Sequence, residues 1–158
     1  MRLLTLLLFI LTSNAHATDD TAIHQLLDGF HLAAANSDYD DYFSRFSQDG
    51  VFLGTDAAER WSLEEFKEYA KPAFDDGRGW TYEVMERNIV LGETRNTAWF
   101  DEVLFNERLG RCRGTGVVIK SHNDWKVAYY SLTLLIPNEI AVDIGQQTIQ
   151  QDGKAIHH

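Results

Sequence analysis

Arg111-Cys112-Arg113-Gly114-Thr115-Gly116-Val117-Val118-Ile119-Lys120-Ser121, followed after a short polar break by Trp125-Lys126-Val127-Ala128-Tyr129-Tyr130-Ser131-Leu132-Thr133, is the stretch that decides the fold. Both runs are rich in β-branched and aromatic residues, and a gap this short joins them as an antiparallel hairpin. With His122-Asn123-Asp124 as the loop, Lys120 pairs with Lys126 and Val117 with Tyr129. Sending both lysines to water then places Arg113, Thr115, Val117 and Ile119 on the inner face, with Val127, Tyr129, Ser131 and Thr133.

Upstream, Trp80 to about Leu91 and Thr97 to about Asn106 read as two more long strands, split by Gly92-Glu93-Thr94-Arg95-Asn96. Pro137-Asn138 ends the sheet, and Ile140, Ala141, Ile144 and Ile149 mark an amphipathic segment beyond it. Before Trp80 the spacing is helical. Asp19 and Asp20 are candidate caps for a helix from about Thr21, with Ile23, Leu26, Leu27, Phe30, Ala33 and Ala34 on one stripe. A short second helix carries Tyr39, Tyr42, Phe43 and Phe46, and Val51-Phe52-Leu53 is a short strand. Ser62-Leu63-Glu64-Glu65 is a capping box that opens a third helix, with Pro72 inside it. Helices first and strands after predict an α+β domain: a cone-shaped, strongly curved antiparallel sheet with helices packed on its concave face. Gly114 and Gly116 fit sheet curvature.

The N-terminus has a different character. Arg2, the nine-residue apolar run from Leu3 to Leu11, broken only by Thr5, and Ala15-His16-Ala17 form, in that order, a secretory signal peptide. The expected organisation is a leader at 1–17, a single domain at 18–151 and a frayed tail at 152–158 that ends in His157-His158. The mature protein is then periplasmic or secreted, with no membrane contact once the leader is gone. The net charge of −10, or −11 without Arg2, disfavours nucleic acid and anionic lipid as partners. Cys112 is the only cysteine, so no intrachain disulfide forms. It reads as a small buried hydrophobe, the flanking Arg111 and Arg113 leaving a reactive thiol as the alternative.

No metal or cofactor motif stands out. His24, His31 and His122 are isolated, there is no H-E-x-x-H or G-x-S-x-G, and the strand glycines make no phosphate loop. His31, beside the apolar stripe, reads as a core-edge histidine. On the next strand, Trp99, Asp101 and Val103 are placed inward. Asp101 and Arg113 are then the only charges on the concave wall, with Asp101 the candidate catalytic residue. Tyr42, Phe43, Phe46, Trp61, Trp99, Arg113, Tyr129 and Ser131 are the candidate ligand-binding set.

Three segments carry a family resemblance: Val51 to Trp61, Thr97 to Glu102, and the closing hairpin Arg113–Val118 and Trp125–Thr133 with Ile136-Pro137-Asn138 after it. The chain resembles SnoaL-like proteins of the nuclear-transport-factor-2-like superfamily. The resemblance implies a homodimer packed through the outer face of the sheet. In the family a histidine often stands where Ser131 is here; if that histidine carries the proton, this chain lacks it, and the resemblance then disfavours acid–base chemistry. The superfamily holds cyclases, isomerases, dehydratases and purely binding members, so fold alone does not choose a function. The first expectation is an exported protein that binds a small apolar or aromatic ligand in an aromatic cone-shaped pocket. The alternatives are a cyclase, isomerase or hydratase-type enzyme using Asp101 as proton acceptor, and a non-catalytic dimeric module. The leader is tested directly: mass spectrometry of protein exported by its native host should give Thr18 as the first residue, and a species retaining Leu3 would rule it out.

Overall fold

A computed structural model describes the backbone of residues 10–122 and 124–155, and side chains from Asp19 to Gln151 apart from Asn123. Residues 1–9 of the expected leader and 156–158 of the expected tail lie outside the described residues. Among the described residues, four helices, α1 (Ile10–Ala35), α2 (Tyr39–Ser44), α3 (Leu63–Asp75) and α4 (Asn138–Ala155), accompany six strands. The strands are β1 (Phe46–Leu53), β2 (Arg60–Ser62), β3 (Glu83–Leu91), β4 (Thr97–Asn106), β5 (Gly110–Ser121) and β6 (Asp124–Leu134). They form one curved, unclosed sheet in the order β2-β1-β6-β5-β4-β3, antiparallel except where β1 runs parallel to β6.

Local chemistry sets the helix starts. The Asp38 carboxylate accepts from the Asp41 amide and caps α2. Ser62 and Glu65 make the expected capping box on α3: the Ser62 amide donates to Glu65, and the Glu65 amide to Ser62. Asp19 and Asp20 do not cap a helix at Thr21, because α1 already runs through them from Ile10. Asp19 instead forms ion pairs with Arg95 and Lys120, both at 2.7 Å, and pins α1 to the sheet. At the other end α4 continues to Ala155, past the expected boundary at 151. Phe46, expected on the second helix, opens β1 and remains in the core.

The inward face of the sheet is the opposite of the expected one. On β4 the buried side chains are Ala98, Phe100, Glu102 and Leu104; on β5, Cys112, Gly114, Gly116 and Val118; on β6, Trp125, Val127, Tyr130 and Leu132. Of the expected inner set only Val127 is there. Two physical causes combine. Lys120 does not point to water: its ammonium is held by Asp19 and lies 5.5 Å above the Trp125 ring, so the parity counted from it is inverted. The hairpin is also tighter, pairing Ser121 with Asp124 and Lys120 with Trp125 rather than with Lys126. A bulge at Ala128 then restores the expected Val117–Tyr129 pair.

The glycines of β5 do more than permit curvature. A Cβ at Gly114 would strike the Tyr130 hydroxyl, and one at Gly116 would come within 2.6 Å of the Phe100 ring. Two rings are thus laid against bare backbone at Gly114 and Gly116, between the inward side chains of Cys112 and Val118. On the outer face, Val90, Trp99, Val117, Tyr129 and Val51 line up across five strands as an apolar band, with Trp99 51% exposed.

Candidate functional site

Glu102 is the one carboxylate buried to 0% exposure among the described residues, and it sits in an otherwise apolar row between Phe100 and Leu104. A buried carboxylate is tolerated only when its lone pairs are filled. Three elements supply the donors. From β3, Arg87 Nε donates to Oε1 at 2.6 Å. From α1, His31 Nε2 donates to Oε2 at 2.9 Å. From β6, the Tyr130 hydroxyl donates to the same oxygen at 3.4 Å. Arg87 is itself buried and reaches out to Asp28 at 2.7 Å and to the His24 carbonyl at 3.3 Å.

Electrostatics follow from that packing. Burial alone would push the Glu102 carboxyl up. The hydrogen bond from His31, with the charge and hydrogen bond of Arg87, outweighs burial and holds it below the usual range. Glu102 is therefore an anion at neutral pH. Burial raises the Tyr130 phenol well above its ordinary value, reinforced by the Glu102 charge, so Tyr130 stays protonated. Burial likewise raises Tyr82, to about 12, and the Cys112 thiol, which is the inert buried hydrophobe expected of it.

His31 and Tyr130 form part of the wall of a cavity of about 170 Å³. Phe30, Tyr42, Phe52, Trp61, Phe66, Trp80 and Tyr82 make up most of the rest, with Gly54, Thr55, Glu59 and Leu109 also on the wall. Phe52 stacks on Phe66 at 4.0 Å and on Tyr130 at 5.6 Å, so flat faces line one side. With Nε2 donating to Glu102, His31 is held as the Nε2–H tautomer, and no hydrogen bond to Nδ1 is found among the described residues. This is a histidine oriented by a carboxylate at the edge of a largely aromatic cavity, an arrangement that can support general acid–base chemistry.

Of the sequence-predicted site residues, Tyr42 and Trp61 line the cavity. Phe43 and Phe46 pack behind it, against Phe66 and Phe30 at 5.4 Å each. Trp99, Asp101, Arg113, Tyr129 and Ser131 share the outer face and do not reach it, because the parity is inverted. Asp101 is bonded there by the Asn88 amide at 3.2 Å and is not a cavity carboxylate. Sequence reading missed Glu102, Arg87, Tyr82 and Tyr130, and gave His31 only a structural role. One signal was present: Glu102 is the sole charge in the alternating set Ala98, Phe100, Glu102, Leu104.

The SnoaL-like domain family matches residues 23–137, nearly three quarters of the chain. The chain belongs to the SnoaL-like family. No curated protein matches it significantly. Among solved structures, a putative scytalone dehydratase from Novosphingobium aromaticivorans superposes with a TM-score of 0.67 at 13% identity, covering 78% of this chain and 89% of that one. A putative aromatic ring hydroxylase from the same organism gives 0.65 at 19% identity, covering 77% and 92%. An NTF2-like protein of unknown function from Pseudomonas putida KT2440 gives 0.62 at 14% identity, covering 78% and 91%. At these identities the likeness is one of fold. Among the described residues, no group of three or more His, Cys, Asp or Glu side chains is placed to hold a metal, and no helix is long and apolar enough to cross a membrane.

Glu102→Gln leaves Arg87 buried beside a neutral amide and should cost about 3 kcal/mol at pH 7. The folded carboxyl has the lower pKa, so its stabilisation is present above the unfolded value near pH 4.3 and fades as pH falls below it. Urea melts at pH 7 and pH 3 should show the gap between variant and parent narrowing in acid.

Proposed function

We propose that this SnoaL-like protein is an acid–base enzyme of the isomerase, dehydratase or cyclase type acting on a small ring-containing substrate, with His31 as proton carrier and Glu102 as the group that orients it. The observation that carries this reading is the 2.9 Å bond between His31 and a fully buried, ionised Glu102 on the wall of an aromatic cavity. Glu102 fixes the tautomer, so that Nδ1 is the basic nitrogen, and steadies the imidazolium once His31 has taken a proton. Arg87 keeps Glu102 ionised and so acts on His31 at one remove. Stacked rings take a flat substrate, and the apolar wall keeps water from competing for the proton. This differs from a proton acceptor at Asp101, which lies on the other face. Simple ligand binding without turnover is the second reading, supported by the aromatic lining alone. The likeness of fold to a putative scytalone dehydratase supports the first.

Export to the periplasm and pairing of two copies belong to the same proposal. The apolar band around Trp99 supports a homodimer formed through the outer face. Trp99→Glu should then sediment as a monomer at concentrations where the parent is a dimer.

Proton transfer is read directly with 2-tetralone, a flat ketone with exchangeable hydrogens next to its carbonyl. In deuterated buffer the protein should speed loss of the C1 proton signals in NMR. His31→Gln should abolish the acceleration, and Glu102→Gln should reduce it by about 100-fold. Exchange at the parent rate in His31→Gln would remove histidine from the mechanism and leave the binding reading.

A further inference from the structure

The cavity is small. At about 170 Å³ it is near the size, about 150 Å³, at which a pocket holds a benzene ring. A larger ligand has to continue beyond it. The structure offers a continuation. A groove of about 730 Å³ adjoins the cavity, and Tyr69, Trp80, Tyr82 and Leu109 line both. The Tyr69 ring stacks on Trp61 of the cavity at 4.4 Å and is still 56% exposed, and Leu109 is exposed too. Apolar surface is thus left open where cavity meets groove, and a ligand that crosses from one to the other covers it.

Two segments build the groove: 78–83, which leads from α3 into β3, and 105–109, the end of β4 and its turn into β5. Asn106 clasps them. Its amide donates to the Thr81 carbonyl at 2.9 Å, and its side-chain oxygen accepts from the Arg108 and Leu109 amides at 3.0 and 2.9 Å. The two walls are therefore tied together before anything binds. Each segment brings one arginine and one glutamate, Arg78 with Glu83 and Arg108 with Glu107, so the formal charges cancel. Arg78 is held by Asp76 at 2.8 Å. Among the described residues, the side chains of Glu83, Glu107 and Arg108 make no hydrogen bond or ion pair with the protein and are free to bond a ligand.

That composition selects the occupant by elimination. An anionic group meets two carboxylates in the groove and a chain of net charge −10 around it. A cationic group meets two guanidinium groups. A hydrocarbon strips water from all four charges and returns no hydrogen bond. A neutral sugar suits every part: its hydroxyls donate to the carboxylates and accept from the guanidinium N–H groups, while its C–H face lies on an aromatic ring.

We infer that the groove is a sugar-binding subsite, so that the ligand is an aryl glycoside with its aromatic ring in the cavity and a neutral hexose in the groove. This rests on the reading of the cavity as a ligand site and adds the part of the ligand that lies outside it. His31 acts on the ring. Glu83, Glu107 and Arg108 hold the sugar and take no part in proton transfer.

Ligand-observed NMR on the full chain tests it. Phenyl β-D-glucoside carries the sugar, anisole keeps the aryl ether without it, and phenyl β-D-glucuronide adds a carboxylate to it. The glucoside should bind about tenfold more tightly than anisole, the reverse of their hydrophobic order. Irradiation of the protein should transfer saturation to the sugar protons as well as to the phenyl protons. Glu83→Gln and Arg108→Ala should each weaken glucoside binding about threefold, a modest hydrogen bond apiece, and leave anisole affinity and the melting temperature unchanged. The glucuronide should bind no more tightly than the glucoside. A glucoside no tighter than anisole, or indifferent to both substitutions, would overturn the inference. So would a glucuronide tighter than the glucoside by about tenfold, which would make the groove an anion site, or the failure of all three probes to bind. If the glucoside preference depends on Arg108 but 2-tetralone protons are not exchanged, this inference stands and the enzyme reading falls. If exchange depends on His31 but the sugar adds no affinity, the reverse holds.

Discussion

A carboxylate sealed inside an aromatic core sets the terms for this fold. Glu102 needs donors that its own strand cannot give. Arg87 comes from the neighbouring strand, His31 from the first helix and Tyr130 from two strands away. Each donor belongs to a different element, so the angle of α1 across the sheet and the register of β3 against β4 are fixed by one side chain. Removing any donor leaves a charge with an open lone pair in a dry place, and that asymmetry makes the arrangement specific. The same bonds that hold α1 in place hold His31 in one tautomer at the cavity. Structural and chemical roles therefore cannot be separated at Glu102.

The cavity owes its existence to omitted atoms as much as to present ones. Gly114 and Gly116 leave the middle of β5 bare on the concave side, and Tyr130 and Phe100 lie where side chains at those two positions would otherwise stand. From the helical side, Phe30, Tyr42 and Phe66 close in, each ring touching several others. Such a core is rigid because a ring meshed with its neighbours has few rotamers open to it. A rigid apolar wall with one oriented histidine is well suited to a flat substrate.

Much of the fold was legible in the sequence, for reasons that are local. The capping box at Ser62 and Glu65, the short helix with Tyr39, Tyr42 and Phe43, and the existence of the last four strands rest on neighbours in sequence and are found; the first of those strands begins at Glu83 rather than Trp80 and the last ends at Leu134 rather than Ile136. The site was legible only in part because it depends on which face of the sheet looks inward. That choice turned on Lys120, whose partner Asp19 is about a hundred residues away and could not be seen from the strand. With the parity inverted, Asp101 and Arg113 went to the cavity and Glu102 to solvent. Tyr42 and Trp61 were placed correctly because neither depends on that parity. Both sides of β4 are apolar, so hydropathy gave no correction. Only the solitary charge in the Ala98-Phe100-Glu102-Leu104 set pointed the other way.

That two-sided strand also bears on how the protein can change. Along β4, alternate positions serve different ends: Phe100 and Glu102 face inward, against the rings and His31 that line the cavity, while Trp99, Asp101 and Val103 face outward. Substitutions on one side leave the other untouched, so ligand preference and outer-surface chemistry are free to drift independently through point mutation. A single inserted or deleted residue in β4 has no such freedom. It exchanges the two sides at once, burying Asp101 without donors and delivering Glu102 to water. Lineages of this chain should therefore vary in residue identity along β4 while preserving its length.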